Sequence, residues 1–425
     1  MKVFKFGGAS INSLERIKNI ALLLSNYQNE ELVIIVSAMG KVTNALEKVA
    51  EAFYDNKQEE ALKLFKVVKR QHTDIAKYLL VTNFNPCYAR LVDLFTEVEW
   101  MLHDRPHGKY DYYYDQIVSI GELFSSNILS YYLNETGIKN KWFDVRDLIR
   151  TDDNFRDASV DWKVTSERIT NWRSEQFDNK QTDDPSIMIC QGFIASTDEN
   201  ESTTLGREGS DFTAAIFGNI LNAESVTIWK DVEGVMSADP RIFPDAKLIS
   251  HLSFEEVIEM AYYGAQVIHP KTVKPLQNKA IPLFVKCFLD PRLPGTVING
   301  EAVKDLPPII VLKEKQALLK LRSNDFSFVG HKPMSMLYDI FGEIKIWPNL
   351  IQTEAISLEI CVDDKSDKLG RLAEEASALF EVQVEKDLTL LTIRHYSEDL
   401  LNHFLENKKS ILTQKTKDTV QVLLK

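Results

Sequence analysis

The sequence predicts an α/β protein built on a mostly parallel sheet sandwiched by helices, followed by a pair of small α+β units. Three observations lead there. Short apolar runs bounded by turn residues, such as Leu32-Val33-Ile34-Ile35-Val36, have the composition of strands buried on both faces. These runs alternate with stretches whose apolar residues recur at helical spacing, and such alternation specifies a parallel sheet. Near residue 300 the elements shorten and glycine turns become rare, behind a stretch holding Pro291, Pro294, Pro307 and Pro308.

Taken in order, residues 2–6 form an apolar strand and Gly7-Gly8 a turn. Asn12 followed by Glu15 predicts a capping box, opening a helix with Leu14, Ile17, Ala21 and Leu24 on one face. Residues 32–36 are the buried strand. Ile117, Ile120, Phe124 and Ile128 predict one helix over 115–133. Further strands are expected at 187–190, 225–229 and 281–287, with helices starting at Asp211 and at Ser253, where Glu256 completes Ser-x-x-Glu. Beyond Pro307, strands are expected at 309–312, 317–321, 356–362, 382–385 and 420–424, and helices at 333–341, 368–380 and 398–406.

Bulk properties narrow the function. A chain of 425 residues calls for two or three domains. With 44% hydrophobic and 26% charged residues it has the composition of a soluble protein able to bury large cores. A formal charge of -12 argues against a nucleic-acid or anionic-membrane surface, though local cations can still serve an anionic substrate. The start MKVFKFGGAS runs straight from strand to glycine turn, unlike a secretory leader. No apolar run approaches the roughly 18 residues of a membrane span. Cys87, Cys190, Cys287 and Cys361 lack metal-ligand spacing and read as buried, reduced thiols of a cytoplasmic protein.

Five loops carry candidate chemistry. Lys5-Phe6-Gly7-Gly8-Ala9-Ser10 puts a lysine and two glycines at the carboxyl end of the first strand, where parallel sheets bind ligands and exposed N–H groups suit phosphate. Alone, it serves equally as a tight connection. Ser37-Ala38-Met39-Gly40-Lys41-Val42-Thr43 follows the second strand, again either a site or a polar loop. In Thr203-Thr204-Leu205-Gly206-Arg207-Glu208-Gly209-Ser210-Asp211, the glycines permit close backbone approach and Arg207 offers a fork for a carboxylate. Asp211 either caps its helix or positions the reactive lysine. Trp229-Lys230-Asp231-Val232-Glu233-Gly234-Val235-Met236-Ser237-Ala238-Asp239-Pro240-Arg241 is an acidic turn after a strand. Tyr263-Gly264-Ala265-Gln266-Val267-Ile268-His269-Pro270 closes the set, with His269 read as structural.

In order and spacing, the blocks KFGGAS, VSAMGKVTN, SIGELFS, DVRDLIRTDDNF, QGFIAS, TTLGREGSDFTAA, WKDVEGVMSADPR and GAQVIHPKT resemble the aspartate kinases of the amino acid kinase superfamily, across residues 1 to about 297. The last 120 or so residues resemble the family's pair of ACT domains by element order. The resemblance implies an amino acid kinase catalytic domain over 1–298, with a substrate lobe over about 1–200 and a nucleotide lobe over about 201–298. A tandem ACT-like regulatory and dimerisation region would follow over 299–425.

It implies transfer of the γ-phosphoryl of ATP to the β-carboxylate of L-aspartate, the first step toward lysine, threonine and methionine. Lys5 would stabilise the transferring phosphate and Asp211 would orient Lys5, while Gly7 and Gly8 would hold phosphate oxygens through backbone N–H groups. Arg207 would take a substrate carboxylate, Glu122 the substrate ammonium, and Ser37, Thr43 and Ser210 further hydrogen bonds. Lys230, Asp231, Met236, Arg241, Gln266 and Val267 would surround the nucleotide. Mg2+ is expected on the ATP phosphates, with no residue assigned as its ligand.

Departures fall on the nucleotide side. Ala9, Lys230, Glu233, Met236 and Gln266 stand where the family commonly has threonine, threonine, aspartate, tyrosine and lysine. Lys271 is a candidate to replace the missing lysine charge. Residues 322–326 and Val329-Gly330 lie where the family binds lysine or threonine as feedback inhibitor, which competes with a purely structural role in a homodimer or higher homo-oligomer. Two other readings remain: another phosphotransferase of the superfamily, or a catalytically weakened binding subunit.

Overall fold

The computed structural model describes every residue except Lys180, Thr182, Asp183, Gln266, Val267 and Asn407, and the side chains of Ser366 and Asp367. The chain divides into two compact units: Met1–Val235 with Leu248–Ile258 and Gln266–Val303, and Met236–Lys247 with Glu259–Ala265 and Lys304–Lys425.

In the first unit the strands are β1 (Lys2–Phe6), β2 (Leu32–Val36), β3 (Asn140–Trp142), β4 (Ile187–Gln191), β5 (Ile194–Ser196), β6 (Ser202–Thr204), β7 (Ser225–Lys230), β8 (His251–Ser253), β9 (Leu283–Cys287) and β10 (Thr296–Asn299). Eight of them form one sheet in the order β3-β4-β2-β1-β7-β9-β10-β8. Strand β1 pairs in parallel with β2 on one side and β7 on the other, setting Lys5 opposite Ile35 and Ile228. The chain thus turns to one side of β1 and later to the other. That switch opens a crevice at the carboxyl end of β1. The antiparallel pairing of β9 with β10 makes the sheet mostly rather than wholly parallel.

Helices α1 (Leu14–Leu24), α2 (Val42–Tyr54), α3 (Gln58–Leu79), α4 (Phe84–His103), α5 (Tyr110–Val118), α6 (Ile120–Glu135), α7 (Trp162–Arg173), α8 (Gly209–Ile220), α9 (Phe254–Tyr262) and α10 (Pro270–Gln277) accompany this sheet. Helix α1 is capped by Ser13, whose hydroxyl accepts from Arg16 N at 3.3 Å, and not by Asn12. The reason is a 3₁₀ turn over Gly8–Ile11, which uses Asn12 as its own C-cap. The single helix expected over 115–133 is two, α5 and α6, meeting at Ser119. At Ser253 the expected cap is present, its hydroxyl accepting from Glu256 N at 3.1 Å.

Helix α6 is buried on nearly every side, and Phe124 at its centre meets His72 and Phe95 with ring centroids 4.9 Å apart in each case. Burying each such side chain stabilises by roughly 1.5–3 kcal/mol. A polar residue on this helix therefore lies inside the protein. All four cysteines are free and buried.

The second unit carries β11 (Ile309–Ser323), α11 (His331–Ile344), β12 (Pro348–Thr353), β13 (Ser357–Asp363), α12 (Ser366–Ala376), β14 (Phe380–Arg394), α13 (Glu398–Leu405), β15 (Ser410–Lys415) and β16 (Thr419–Leu424). They form one antiparallel sheet, β12-β13-β11-β14-β16-β15. The two strands expected at 309–312 and 317–321 are a single strand that bulges between Lys313 and Leu318. One apolar core gathers Leu319, Leu337, Phe341, Leu358, Leu372 and Phe380, and another Leu391, Ile393, Leu401 and Val422. Two α+β units sharing one sheet match the expected pair.

Candidate active site

A cavity of about 470 Å³ opens at the carboxyl ends of β1, β2 and β6, lined by Lys5, Gly8, Ser37, Ala38, Gly40, Thr43, Tyr114, Glu122, Arg156, Phe193, Thr204 and the run from Gly206 to Asp211. Several loops far apart in sequence converge here, as expected at a switch point in a parallel sheet. Lys5 is held by the register of β1, and Ser37 and Thr43 follow β2 into α2. Residues 206–211 enter the first turn of α8, whose positive end faces the cavity.

Glycine permits this convergence. A Cβ on Gly8 would lie 2.6 Å from the Ala38 carbonyl oxygen, and Gly40 N donates to Gly8 O at 3.0 Å. The two loops are therefore in direct backbone contact. Gly206 has φ +75°, and a Cβ there would strike the Asp157 carboxylate at 2.5 Å.

The charges fall into a pattern. Lys5 Nζ stands 2.6 Å from Asp211 Oδ1 with both side chains nearly buried, an ion pair rather than an aligned hydrogen bond. Asp211 is thus more than a helix cap. Arg207 is exposed and has no ion-pair partner among the described residues, so its fork is available to a ligand carboxylate. Glu122 is 2% exposed. Its Oε1 accepts only a long bond, 3.3 Å from Ala38 N, and its Oε2 is buried without a hydrogen-bond partner. Burial pushes its pKa up to about 8. A buried carboxyl oxygen left unmatched beside a cavity is open to a hydrogen-bond donor on a ligand.

Asp115 braces the cavity wall. Its carboxylate accepts from Arg156 N at 2.9 Å and from Thr204 N and Oγ1 at 2.8 and 2.7 Å. Both tethered residues line the cavity. Burial raises the Asp115 pKa to about 6, opposed by those hydrogen bonds. His269 holds the local structure: its backbone N–H donates to Glu208 Oε2 at 2.8 Å, and its ring Nδ1 caps α10 by accepting from Lys271 N at 3.2 Å. Lys271 is ion-paired with Asp157.

The structure thus gathers Lys5, Gly8, Ser37, Thr43, Glu122, Arg207, Ser210 and Asp211 around one space, with Gly7 beside Lys5. Lys230 is half-buried at the end of β7, and Asp231 pairs with Arg16 at 3.3 Å; neither lines the cavity. Met236 and Arg241 belong to the second unit, where Arg241 forms an exposed pair with Asp239. Gln266 and Val267 lie outside the described residues. Sequence reading missed Tyr114, Asp115, Arg156, Phe193 and Thr204. Phe193 and Thr204 sit inside QGFIAS and TTLGREGSDFTAA, so a signal existed for them; Asp115 and Arg156 belong to no recognised block.

Comparison with known proteins agrees in outline. The family model of the amino acid kinase family matches residues 1–287. Lysine-sensitive aspartokinase 3 of Escherichia coli is 31% identical over 92% of this chain and 86% of its own. A crystal structure of E. coli aspartokinase III with aspartate and ADP, in the R-state, superposes with TM-score 0.81 at 28% identity, over all of this chain and 96% of that one. The same enzyme with lysine and aspartate, in the T-state, gives TM-score 0.78 at 28% identity, over all of this chain and 95% of that one.

Proposed function

The chain belongs to the amino acid kinase family, among its aspartokinases, and on that premise we propose how its residues carry phosphoryl transfer from ATP to the β-carboxylate of L-aspartate. One observation supports the reading above the others: a single cavity holds the Lys5–Asp211 pair, the unpaired Arg207 fork and the unmatched Glu122 oxygen. An α-amino dicarboxylate complements that set, with one carboxylate for Arg207 and an ammonium for Glu122. Its second carboxylate, ionised near neutral pH, is the nucleophile, so the protein needs none of its own.

Phosphoryl transfer asks for positioning and charge neutralisation. Lys5, held by Asp211, stabilises charge on the transferring group, and Gly7, Gly8 and the first turn of α8 direct N–H groups toward phosphate oxygens. Ser37, Thr43 and Ser210 complete the hold on the substrate. Mg2+ bound to the nucleotide would neutralise phosphate charge. In this reading the ion would be ligated mostly by the phosphates of the nucleotide. Lys230, Asp231, Gln266 and Val267 form the nucleotide side of this reading. The catalytic domain spans 1–298 and residues 299–425 form the regulatory and dimerisation region. Lysine is the feedback inhibitor favoured over threonine, on the likeness to the lysine-bound enzyme. No described helix is long and apolar enough to cross a membrane, consistent with a cytoplasmic enzyme.

The test is ADP formation, and hydroxylamine trapping of the acyl phosphate, with aspartate, glutamate, N-acetylglutamate or UMP as acceptor. Turnover with aspartate alone supports the reading. Turnover with another acceptor instead, or with none, overturns it. Lysine and threonine titrated into the same assay decide the inhibitor.

A further inference from the structure

We propose that Arg156 is a specificity-determining residue for the dicarboxylate substrate, a latch that exchanges its resting carboxylate partners for a carboxylate of the ligand. The inference rests on the aspartate kinase reading and deepens it.

Arg156 lines the cavity, yet it is held differently from Arg207. Its guanidinium lies over the Tyr114 ring, 4.3 Å from the centroid, and Tyr114 is itself a wall of the cavity. Two carboxylates hold it from outside at loose distances: Asp111 at 3.3 Å and Glu47 at 3.8 Å, all three side chains between a third and a half exposed. Such exposed pairs are weak and exchange readily. The backbone beneath is not loose. Arg156 N is anchored to the buried Asp115 carboxylate at 2.9 Å, and the residue adopts φ +72°, a conformation that costs a side-chain-bearing residue energy. A strained, anchored backbone carrying a loosely paired guanidinium at the cavity wall suits a group that must move its head and keep its base.

Chemistry selects the partner. A guanidinium is already compensated by Asp111 and Glu47, so it adds little general attraction for anions. A ligand carboxylate that gives one oxygen to Arg156 can replace these loose pairs and keep its other oxygen free as the nucleophile. An amino acid with two carboxylates can engage Arg207 and Arg156, whereas its monoamide can engage only one of them well.

The experiment measures aspartate KM and kcat separately in Arg156→Gly, Arg156→Lys, Asp111→Asn and the double variant Arg156→Gly with Asp111→Asn. Glycine suits the positive φ, so the first variant keeps the fold. The latch predicts a KM about tenfold higher in Arg156→Gly with kcat within about twofold, and partial recovery in Arg156→Lys. Asp111→Asn frees the guanidinium and lowers KM by about twofold, an effect that disappears in the double variant. An unchanged KM in Arg156→Gly overturns the inference. So does a raised KM in Asp111→Asn, or an Asp111→Asn effect that persists without Arg156, either of which marks a merely structural contact. Failure of the underlying reading looks different: the parent protein itself shows no aspartate-dependent turnover.

Discussion

The two units of this chain handle polar residues in opposite ways. In the first, Lys5, Asp211, Glu122 and Asp115 are buried around the cavity, and the Glu122 Oε2 atom has no hydrogen-bond partner. In the second, the cores are apolar, and a polar cluster across β12, β13 and β11 is mutually satisfied: Asn349 donates to Gln316 at 2.7 Å and to Asp363 at 2.9 Å. Buried groups without matched partners cost stability, so they persist where a ligand completes them. The contrast sets a cavity lined by buried charge apart from cores closed by apolar packing.

The strongest break of that contrast is Lys5→Ala. Aspartate-dependent ADP formation should fall by about a thousandfold with the melting temperature nearly kept, because in the proposed reading the lost group acts on the transition state. Glu122→Gln comes next: the aspartate KM should rise by about ten- to a hundredfold, read in the same assay, because in the proposed reading the bound ammonium draws the proton off Glu122 and pairs with the carboxylate that glutamine cannot supply. Its pH behaviour sharpens the point. Glu122 holds its proton up to about 8 when folded, against an ordinary value of 4.5. Between those values the folded state binds more protons, so stability falls as pH rises through the window. Thermal melts of the ligand-free protein from about pH 5 to about pH 8 should decline more steeply for the parent than for Glu122→Gln.

Asp115→Asn should lower kcat/KM by about tenfold, since it disturbs the donors from Arg156 and Thr204 without touching the substrate. The smallest effect on catalysis belongs to the packed unit. Phe341→Ala should destabilise by about 3–5 kcal/mol in a denaturant melt, while the aspartate KM measured well below the transition stays within about twofold. A large KM change there would blur the division between the units.

Much of this was legible beforehand, and for a physical reason. Loops at the carboxyl ends of parallel strands carry the chemistry, and Lys5, Arg207 and Asp211 stand in segments where glycine and charge are written side by side. Glu122 was legible only through its block, since a lone glutamate on a helix usually faces water; α6 is buried on nearly every side. Arg156 and Asp115 were invisible because their importance lies in contacts across 41 residues of chain. Helices α3 and α4 were also not anticipated. In the second unit, residues 313–316 fall between two expected strands because they are charged or polar; Lys315 takes φ +54° there, and the strand passes through them as a bulge. Residues 386–394 were passed over for a like reason, with Asp387 at φ +59° inside β14.

The fit of Gly8 against the Ala38 carbonyl has a consequence for how such an enzyme can change over time. The loops after β1 and β2 meet through bare backbone, so neither can be exchanged, lengthened or given a side chain at the contact while its neighbour stays as it is. Variation in what the enzyme accepts has to arise elsewhere on the rim, at positions like 156 whose side chains can be traded without moving that shared spine.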